Sequence, residues 1–234
     1  MEKVIYLLRR PPESSPGEFA SGLVEATGPA LVASGTRGVQ VNVVDADVAP
    51  AVGLRFTTSA SPPDAVVSVW LDSAIAHLRA PIDTILTEAG VDIEALLVTE
   101  SEPIVHRQPT GTSRTEGFAQ VALLRRPPRL DETEWLDLWL THHTPIAVAT
   151  QSTFGYTQNV TVRPLLGGST YDAVVEELFP AAAMADQHVF YDAVGDDDRL
   201  DRNRTEMLTS VGRFLDLDRI DVVPTSRYVV QPPG

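Results

Sequence analysis

The residue best placed to do chemistry in this 234-residue sequence is His143. It follows Trp135 and Trp139 at helical spacing, so the three side chains are expected on one inward-facing stripe of a helix. Pro145 is expected to bend or end that helix, which would leave His143 beside free carbonyl groups that favour the imidazolium form. We therefore expect its pKa near neutral pH, where histidine serves as a general acid or base. The alternative is a core histidine that is hydrogen-bonded to a backbone carbonyl.

A predicted strand over residues 154–162 carries the next candidates. Side chains alternate between the two faces of a strand, so Tyr156 shares one face with Gln158, whereas Thr157 and Asn159 share the other. Only one of these faces can line a pocket. Tyr156 is either a phenol that orients a substrate carbonyl or hydroxyl, or a core tyrosine whose hydroxyl is satisfied by the protein.

A segment after the predicted third strand of the second half contains His188, Phe190 and Tyr191, followed by three aspartates at 196–198. It could form a lid, which makes His188 and Tyr191 candidates for substrate contact. The aspartate run lacks the alternating ligands and central glycine of a calcium loop, so it is interpreted as a solvated helix cap. The sequence also lacks H-E-x-x-H, Walker, G-x-S-x-G and Rossmann motifs. We expect neither a metal nor a cofactor.

The helix and strand motifs together resemble those of a known family. The pattern W-x3-H-x-P begins at Trp139, and the strand run FGYTQN contains Tyr156, as in the signature of EthD-domain proteins. The resemblance covers most of the second half of the chain. It implies a dimeric α/β-barrel fold with a cofactor-free pocket, which the family uses in ether degradation, lactone isomerisation and polyketide modification. It also implies that Tyr156 acts beside His143, and that Trp139 and Asn159 contact the substrate.

The chain contains an internal repeat. The run LLRRPP at residues 7–12 recurs unchanged at residues 123–128, a spacing of 116 residues. A second run, DAVV, occurs at residues 64–67 and again at residues 172–175. Because chance rarely copies two such runs in the same order, the sequence predicts two fused copies of one module.

The repeat also predicts that only the second copy keeps the pocket. At a spacing of 116 residues, the candidate residues align with residues of other chemical types: His143 with Thr27, Trp139 with Leu23, Tyr156 with Gln40, and Asn159 with Val43. We therefore expect the two halves to differ in function.

Each copy is predicted to have the element order β-α-β-β-α-β, the α+β class of the ferredoxin-like split βαβ. Such a sheet has helices on one face only, and the second copy can cover the other face. Two tandem ferredoxin-like repeats are thus expected to form a single-chain dimeric α/β-barrel arrangement. The predicted divisions are 1–109 for the scaffold copy, 110–116 for the linker and 117–234 for the copy with the pocket. Apolar patterns predict strands over 4–10, 39–44, 66–71, 96–105, 118–126, 154–162, 173–179 and 222–230, and helices over 73–89 and 199–215.

Composition limits the partners and the location. The formal net charge of −14 disfavours nucleic acid and anionic membranes as partners. Because the sequence has no cysteine, disulfides and thiolate nucleophiles are excluded. The first apolar run, residues 4–8, is too short for a signal segment, and no run is long enough to span a membrane. We expect a cytoplasmic protein that binds a small-molecule substrate or ligand, with further homo-oligomerisation left open.

Two functions agree with these features. The first is a cofactor-independent lyase, isomerase or monooxygenase-like enzyme that acts on a small apolar carbonyl or lactone metabolite, with His143 as the proton shuttle. The second is a noncatalytic binding or accessory protein of a degradation pathway that uses the same cavity. Convergence of His143 and Tyr156 on one cavity would favour the enzyme, whereas a cavity filled by side chains would favour a scaffold.

Overall fold

Apolar runs rich in β-branched residues form the strands of the protein, because such side chains favour extended backbone. The structure, a computed structural model, describes residues 1–107 and 114–234. In these residues the strands are β1 (Glu2–Arg9), β2 (Gly38–Val43), β3 (Phe56–Thr57), β4 (Ala65–Leu71), β5 (Val91–Ile104), β6 (Phe118–Leu124), β7 (Gly155–Leu166), β8 (Ala173–Phe179) and β9 (Asp221–Gln231).

Two long helices span residues 16–33 and 132–150. Each contains a π-helical segment that ends two residues before a proline, Pro29 in the first helix and Pro145 in the second. Proline has no N–H to donate to the carbonyl four residues back, so the ladder shifts locally. The N–H of Thr144, just before Pro145, donates to the carbonyl of Trp139, five residues back. The helical segments are Pro16–Ser21, Gly22–Thr27 (π), Gly28–Ala33, Ala76–Ala89, Glu132–Leu136, Asp137–His143 (π), Thr144–Thr150, Gln187–Phe190 and Asp197–Phe214, with short 3-10 turns at Ala46–Leu54, Ala181–Met184 and Leu217–Arg219.

Helix 132–150 corrects one expectation from the sequence. It continues through Pro145 to Thr150, so His143 lies inside the helix and not at its C-terminal end. The π-helical segment absorbs the missing hydrogen bond, and the helix is not ended by the proline. His143 therefore lacks the free carbonyl groups that were expected to favour its charged form.

Eight antiparallel strands close into one barrel within the single chain. Their order is β2-β4-β1-β5-β7-β8-β6-β9, and the pairing of β9 with β2 completes the circle. The short strand β3 pairs with the first residues of β9, beyond the end of β2. Among the described residues, the pairings that join the first half of the chain to the second are β5 with β7, β2 with β9 and β3 with β9. Within residues 1–107 and 114–234, closure leaves no long strand edge unpaired.

Side chains from the barrel form an interior and two helix-covered outer layers. Ile5, Leu123 and Val174 belong to the apolar cluster of the interior. The outer layer of the second half contains Trp139 and Tyr156, packed with residues of β6, β8 and the helix Asp197–Phe214. The first half has its own outer layer under the helices 16–33 and 76–89, made by residues such as Phe19, Leu23, Val39, Val67 and Leu86.

The strand registers shift the expected alignment of the two halves by one residue. Gly38 pairs with Trp70, and Gly155 pairs with Leu178, so these two glycines occupy equivalent positions at a spacing of 117 residues. The extra residue lies in the helix, because Thr144–Thr150 has 7 residues and Gly28–Ala33 has 6.

This register changes which residues of the two halves correspond. Tyr156 corresponds to Val39, not to Gln40, and Asn159 corresponds to Asn42, not to Val43. The alignment that left Asn159 without an asparagine counterpart is therefore wrong.

The predicted linker 110–116 is described only in part, since residues 110–113 lie outside the described residues. Arg114 forms a bridge with Tyr228 on β9, and its Nε donates to Ser226 Oγ at 2.7 Å. The C-terminal end of the junction is thus held against β9. In residues 1–107 and 114–234, no helix has both the length and the apolar character needed to cross a membrane.

Candidate active site

Tyr156 lies at the centre of a buried polar network between helix 132–150 and the barrel. Its side chain is 2% exposed, and Gln158 Nε2 donates to its hydroxyl at 3.2 Å. Trp139 and Thr144 of the helix also hydrogen-bond the Tyr156 hydroxyl. Gln158 Nε2 lies 2.7 Å from Thr144 Oγ1, which ties the strand motif to the helix motif. The two motifs that resemble the EthD signature therefore meet in one hydrogen-bonded cluster.

Glu177 adds a carboxyl group that sequence reasoning missed. It pairs with Tyr156 across β7 and β8, on the strand face that is covered by helix 132–150. The residue is 6% exposed, and its Oε1 has no hydrogen-bond partner among the described residues. Burial raises the pKa of Glu177 to about 7, because the charged form loses its hydration. At neutral pH both protonation states are populated, as a general base requires.

His143 is buried in the same layer but has different partners. Its Nδ1 lies 3.0 Å from Ser210 Oγ, and its ring centroid lies 4.6 Å from that of Phe214, both on the helix Asp197–Phe214. Burial lowers the pKa of His143 to about 4. The expectation of a pKa near neutrality is therefore wrong: the helix does not end beside the ring, so only the desolvation of the imidazolium form remains. At neutral pH the imidazole is uncharged.

Two indole rings form an aromatic wall in this layer. The centroids of Trp135 and Trp139 lie 5.4 Å apart with an interplanar angle of 37°. Trp135 Nε1 is buried and has no hydrogen-bond partner among the described residues. The layer thus contains one unused donor, Trp135 Nε1, and one unused acceptor, Glu177 Oε1. Unpaired buried polar atoms are costly and are found where a ligand or an ordered water completes them.

Asn159 faces the opposite way, into the barrel. It lines a cavity of about 80 Å³ together with Thr157 from the same strand. Its Nδ2 donates to the carbonyl of Val174 at 2.9 Å. Alternation along β7 thus places Tyr156 in the outer layer and Asn159 in the interior. The predicted site residues do not converge on one cavity, and neither His143 nor Tyr156 lines this one.

Charged groups of the barrel cavity are paired with each other. Glu176 accepts from Gln40 Nε2 at 2.7 Å through Oε2 and contacts Arg227 Nε at 3.1 Å through Oε1. Glu100 accepts from Lys3 Nζ at 2.6 Å. Burial also lowers the pKa of His106, which lines the cavity. Sequence reasoning missed this interior set, although charged residues inside apolar strands were a signal that could have found it.

His188 and Tyr191 lie apart from the Tyr156 network. His188 Nε2 lies 2.8 Å from Oδ1 of Asp197, the first residue of the helix Asp197–Phe214. The carbonyl of Tyr191 accepts from Asn203 Nδ2 at 2.7 Å, and its ring packs edge-on against Phe190. Their predicted contact with substrate stays a prediction. Among the described residues, no group of three His, Cys, Asp or Glu side chains could hold a metal ion.

Comparison with known proteins relates the fold to solved structures. No protein-family model and no curated protein matches the sequence. An anthrone oxidase-like protein of known structure has a TM-score of 0.58 at 11% identity, over 98% of this chain and 91% of that chain. A candidate monooxygenase from Fusobacterium nucleatum subsp. nucleatum has a TM-score of 0.52 at 8% identity, over 100% and 94% of the two chains. At such low identity the similarity extends to the barrel fold alone.

Proposed function

We propose that this protein is a cofactor-independent enzyme that removes a proton from a small apolar carbonyl compound, with Glu177 as the base. The observation that supports the proposal is Oε1 of Glu177, which is buried directly across the strands from Tyr156 and has no hydrogen-bond partner among the described residues. A carboxyl with a pKa of about 7 is a strong enough base to act on a C–H acid and is regenerated near neutral pH.

The polar network supports a role for Tyr156 as well. Its hydroxyl accepts a hydrogen bond from Gln158, and on substrate binding its own proton would turn towards the substrate oxygen. As Glu177 takes a proton from a carbon that is next to a carbonyl, or conjugated with it through an aromatic ring, the C–H electron pair moves towards the carbonyl oxygen and forms an enolate. Donation from Tyr156 would stabilise that developing charge in a water-poor layer. The prediction that His143 moves a proton remains open, and its uncharged form could only accept one.

The aromatic wall favours a flat substrate. Trp135 and Trp139 lie in the same buried layer as Tyr156, where a flat substrate could stack on the indole rings once the layer opens, and the unused Nε1 of Trp135 can donate to a substrate oxygen. For a substrate to enter this layer, helix 132–150 must move away from the barrel. The π-helical segment Asp137–His143 is the irregular part of that helix.

The names of the structural neighbours suggest a fate for the enolate after proton removal. One neighbour is described as anthrone oxidase-like and the other as a candidate monooxygenase. An enolate can pass its electrons to molecular oxygen without a cofactor. For a methylene carbon next to an aromatic ring, the carbon becomes a carbonyl and the second oxygen atom leaves as water. Without oxygen, return of the proton to another carbon would instead make the protein an isomerase.

Duplication and EthD membership also belong to this proposal. Each half has the strand order of a ferredoxin-like sheet, β2-β4-β1-β5 and β7-β8-β6-β9. The repeated motifs make matching bonds: Asp64 Oδ2 accepts from the N–H of Arg10 at 2.9 Å, and Asp172 Oδ2 accepts from the N–H of Arg126 at 2.7 Å. These features support residues 1–109 and 117–234 as two copies of one module.

An oxygen electrode tests the proposal. Purified protein is mixed with anthrone, and oxygen uptake is measured above the uncatalysed rate; in parallel, uptake of deuterium from D2O into a cyclic 1,3-diketone is followed by NMR. Glu177→Gln should lower either rate about a hundredfold or more, since a positioned base contributes that much. The exposed Glu206→Gln, on the helix Asp197–Phe214, is the matched control and should keep the full rate.

Two results would overturn the enzyme proposal. One is a Glu177→Gln protein that keeps the wild-type rate, and the other is the absence of both oxygen uptake and deuterium exchange. The second candidate function is noncatalytic binding, which the Trp135 and Trp139 surfaces favour. It predicts quenching of tryptophan fluorescence by anthrone with no turnover, in the wild type and in Glu177→Gln alike.

A further inference from the structure

Two residues that line the barrel cavity each have a buried polar atom without a hydrogen-bond partner among the described residues. The two atoms are Arg227 Nη1 and Asn159 Oδ1, and both residues line the cavity of about 80 Å³. One atom is a charged donor and the other is an uncharged acceptor. A buried donor and acceptor left open in one cavity call for a ligand or ordered water that satisfies both.

The first half of the chain shows how such an asparagine is satisfied internally. Asn42 occupies in β2 the position that Asn159 occupies in β7, and its Oδ1 accepts from Gln40 Nε2 at 2.8 Å. The residue that corresponds to Gln40 in the second half is Thr157, whose side chain is too short to carry an amide to the same place. The open acceptor at Asn159 therefore results from one difference between the two halves.

Arg227 Nη1 has no partner because the acceptors around it are already hydrogen-bonded to other groups. Its Nε donates to Gln40 Oε1 at 2.9 Å and contacts Glu176 at 3.1 Å. The other oxygen of Glu176 is occupied by Gln40 Nε2 at 2.7 Å. Both carboxylate oxygens are thus used, while the guanidinium keeps a spare donor. The other carboxylates of the cavity, Glu100 and Glu102, are bound by Lys3 and Arg107.

We propose that the barrel cavity binds a short 2-hydroxycarboxylate such as lactate. The carboxylate would accept from Arg227 Nη1, and the hydroxyl would donate to Asn159 Oδ1. The volume of about 80 Å³ equals that of two to three liquid water molecules at about 30 Å³ each, so only a short ligand fits. Ile5, Val66 and Val121 also line the cavity and offer apolar surface to the methyl group. This site is separate from the outer layer that contains Glu177.

A nuclear magnetic resonance titration tests this site with L-lactate, glycolate and acetate as probes. Each is added to uniformly 15N-labelled protein up to about 20 mM, a range that detects weak binding, at ionic strength held constant with chloride. Lactate and glycolate should give saturable shifts on β7 and β9. Acetate has no hydroxyl for Asn159 and should bind at least about fivefold more weakly. Absence of saturation by lactate, or equal affinity for acetate, would overturn the proposal.

Thr157→Gln is the decisive variant, because it copies the arrangement of Gln40 and Asn42 into the second half. The new amide should donate to Asn159 Oδ1, fill the cavity and weaken lactate binding about tenfold or more without lowering the melting temperature. Val162→Gln, at a position 55% exposed on the same strand, is the matched control and should bind lactate normally. Unchanged lactate affinity in Thr157→Gln contradicts the assignment. Glu177→Gln should also bind lactate normally, so failure of the enzyme proposal would not affect this one.

Discussion

Tyr156 and Glu177 lie directly opposite each other on β7 and β8, and both are buried beneath helix 132–150. Burial, and then the nearby carboxyl of Glu177, raises the pKa of Tyr156 to about 12. The pair therefore combines a phenol that keeps its proton at neutral pH with an acid that exchanges its proton there. This difference in proton affinity across one strand pair is the basis on which we propose acid–base chemistry in this layer.

Glu177→Gln should stabilise the protein at high pH and not at low pH. The folded pKa of about 7 lies above the ordinary value, so the wild type loses stability as pH rises from about 4.5 through 7. Above pH 8 the variant should be more stable by about 3 kcal/mol, whereas near pH 4.5 the two should be nearly equal. Urea unfolding at both pH values measures the difference. An identical difference at both would show that Glu177 does not titrate in this way.

His143→Gln tests the neutral histidine. Because the folded pKa of about 4 lies below the ordinary value, the wild type should lose stability as pH falls from about 6.5 towards 4, by about 3 kcal/mol in total. The variant has no histidine at this position to be protonated, so it should not lose stability in this way. Its stability relative to the wild type should therefore increase as the pH falls from about 6.5 towards 4. Chemical denaturation at pH 7.5 and 4.5 gives the comparison. With a substrate in hand, loss of turnover in a folded His143→Gln protein would support its predicted role in proton transfer.

Tyr156→Phe should lower the free energy of unfolding by about 1–2 kcal/mol. The change removes the hydroxyl that binds Gln158, Trp139 and Thr144, and leaves Gln158 with Thr144 as its remaining side-chain partner. Calorimetry on the two proteins at pH 7 measures the loss. A variant as stable as the wild type would mean that the network does not hold helix 132–150 against the barrel.

Gly117→Ala should destabilise the protein strongly. Gly117 has φ +84°, and an added Cβ would lie 2.0 Å from the carbonyl oxygen of Phe179. The backbone of β8 must move to relieve this clash, so we expect the free energy of unfolding to fall by more than about 3 kcal/mol. Gly17→Ala is the matched control, because its Cβ meets nothing within 4 Å and alanine is the better helix former. In thermal melting, Gly117→Ala should lower the melting temperature and Gly17→Ala should raise it slightly.

The periodicity of the sequence was sufficient to place strands and helices close to where the structure has them. Alternation also separated Tyr156 from Asn159 correctly. It could not say which face lines a cavity, because helices cover one side of the strand and the opposite barrel wall covers the other, so both faces carry buried residues. The two-residue period of a strand therefore shows which side chains share a face, but not which of the two buried faces lines a cavity.

Three features of the site needed the three-dimensional structure. An extra residue inside helix 132–150 shifts the register of β7, and spacing counted from Pro145 cannot reveal it. The lowered pKa of His143 depends on the helix continuing beyond the proline, where burial is the remaining influence. Glu177 resembles any other residue of an apolar strand by position alone, although two adjacent acids in such a run were a visible signal.

Both seams of the barrel, β5 with β7 and β2 with β9, join strands of the same chain. Their closure is therefore unimolecular, so its equilibrium does not depend on protein concentration and dilution does not open the barrel. A barrel assembled from two separate chains would lose its cavity at concentrations below its dissociation constant. Here the fraction of closed barrels should be the same at nanomolar and millimolar protein.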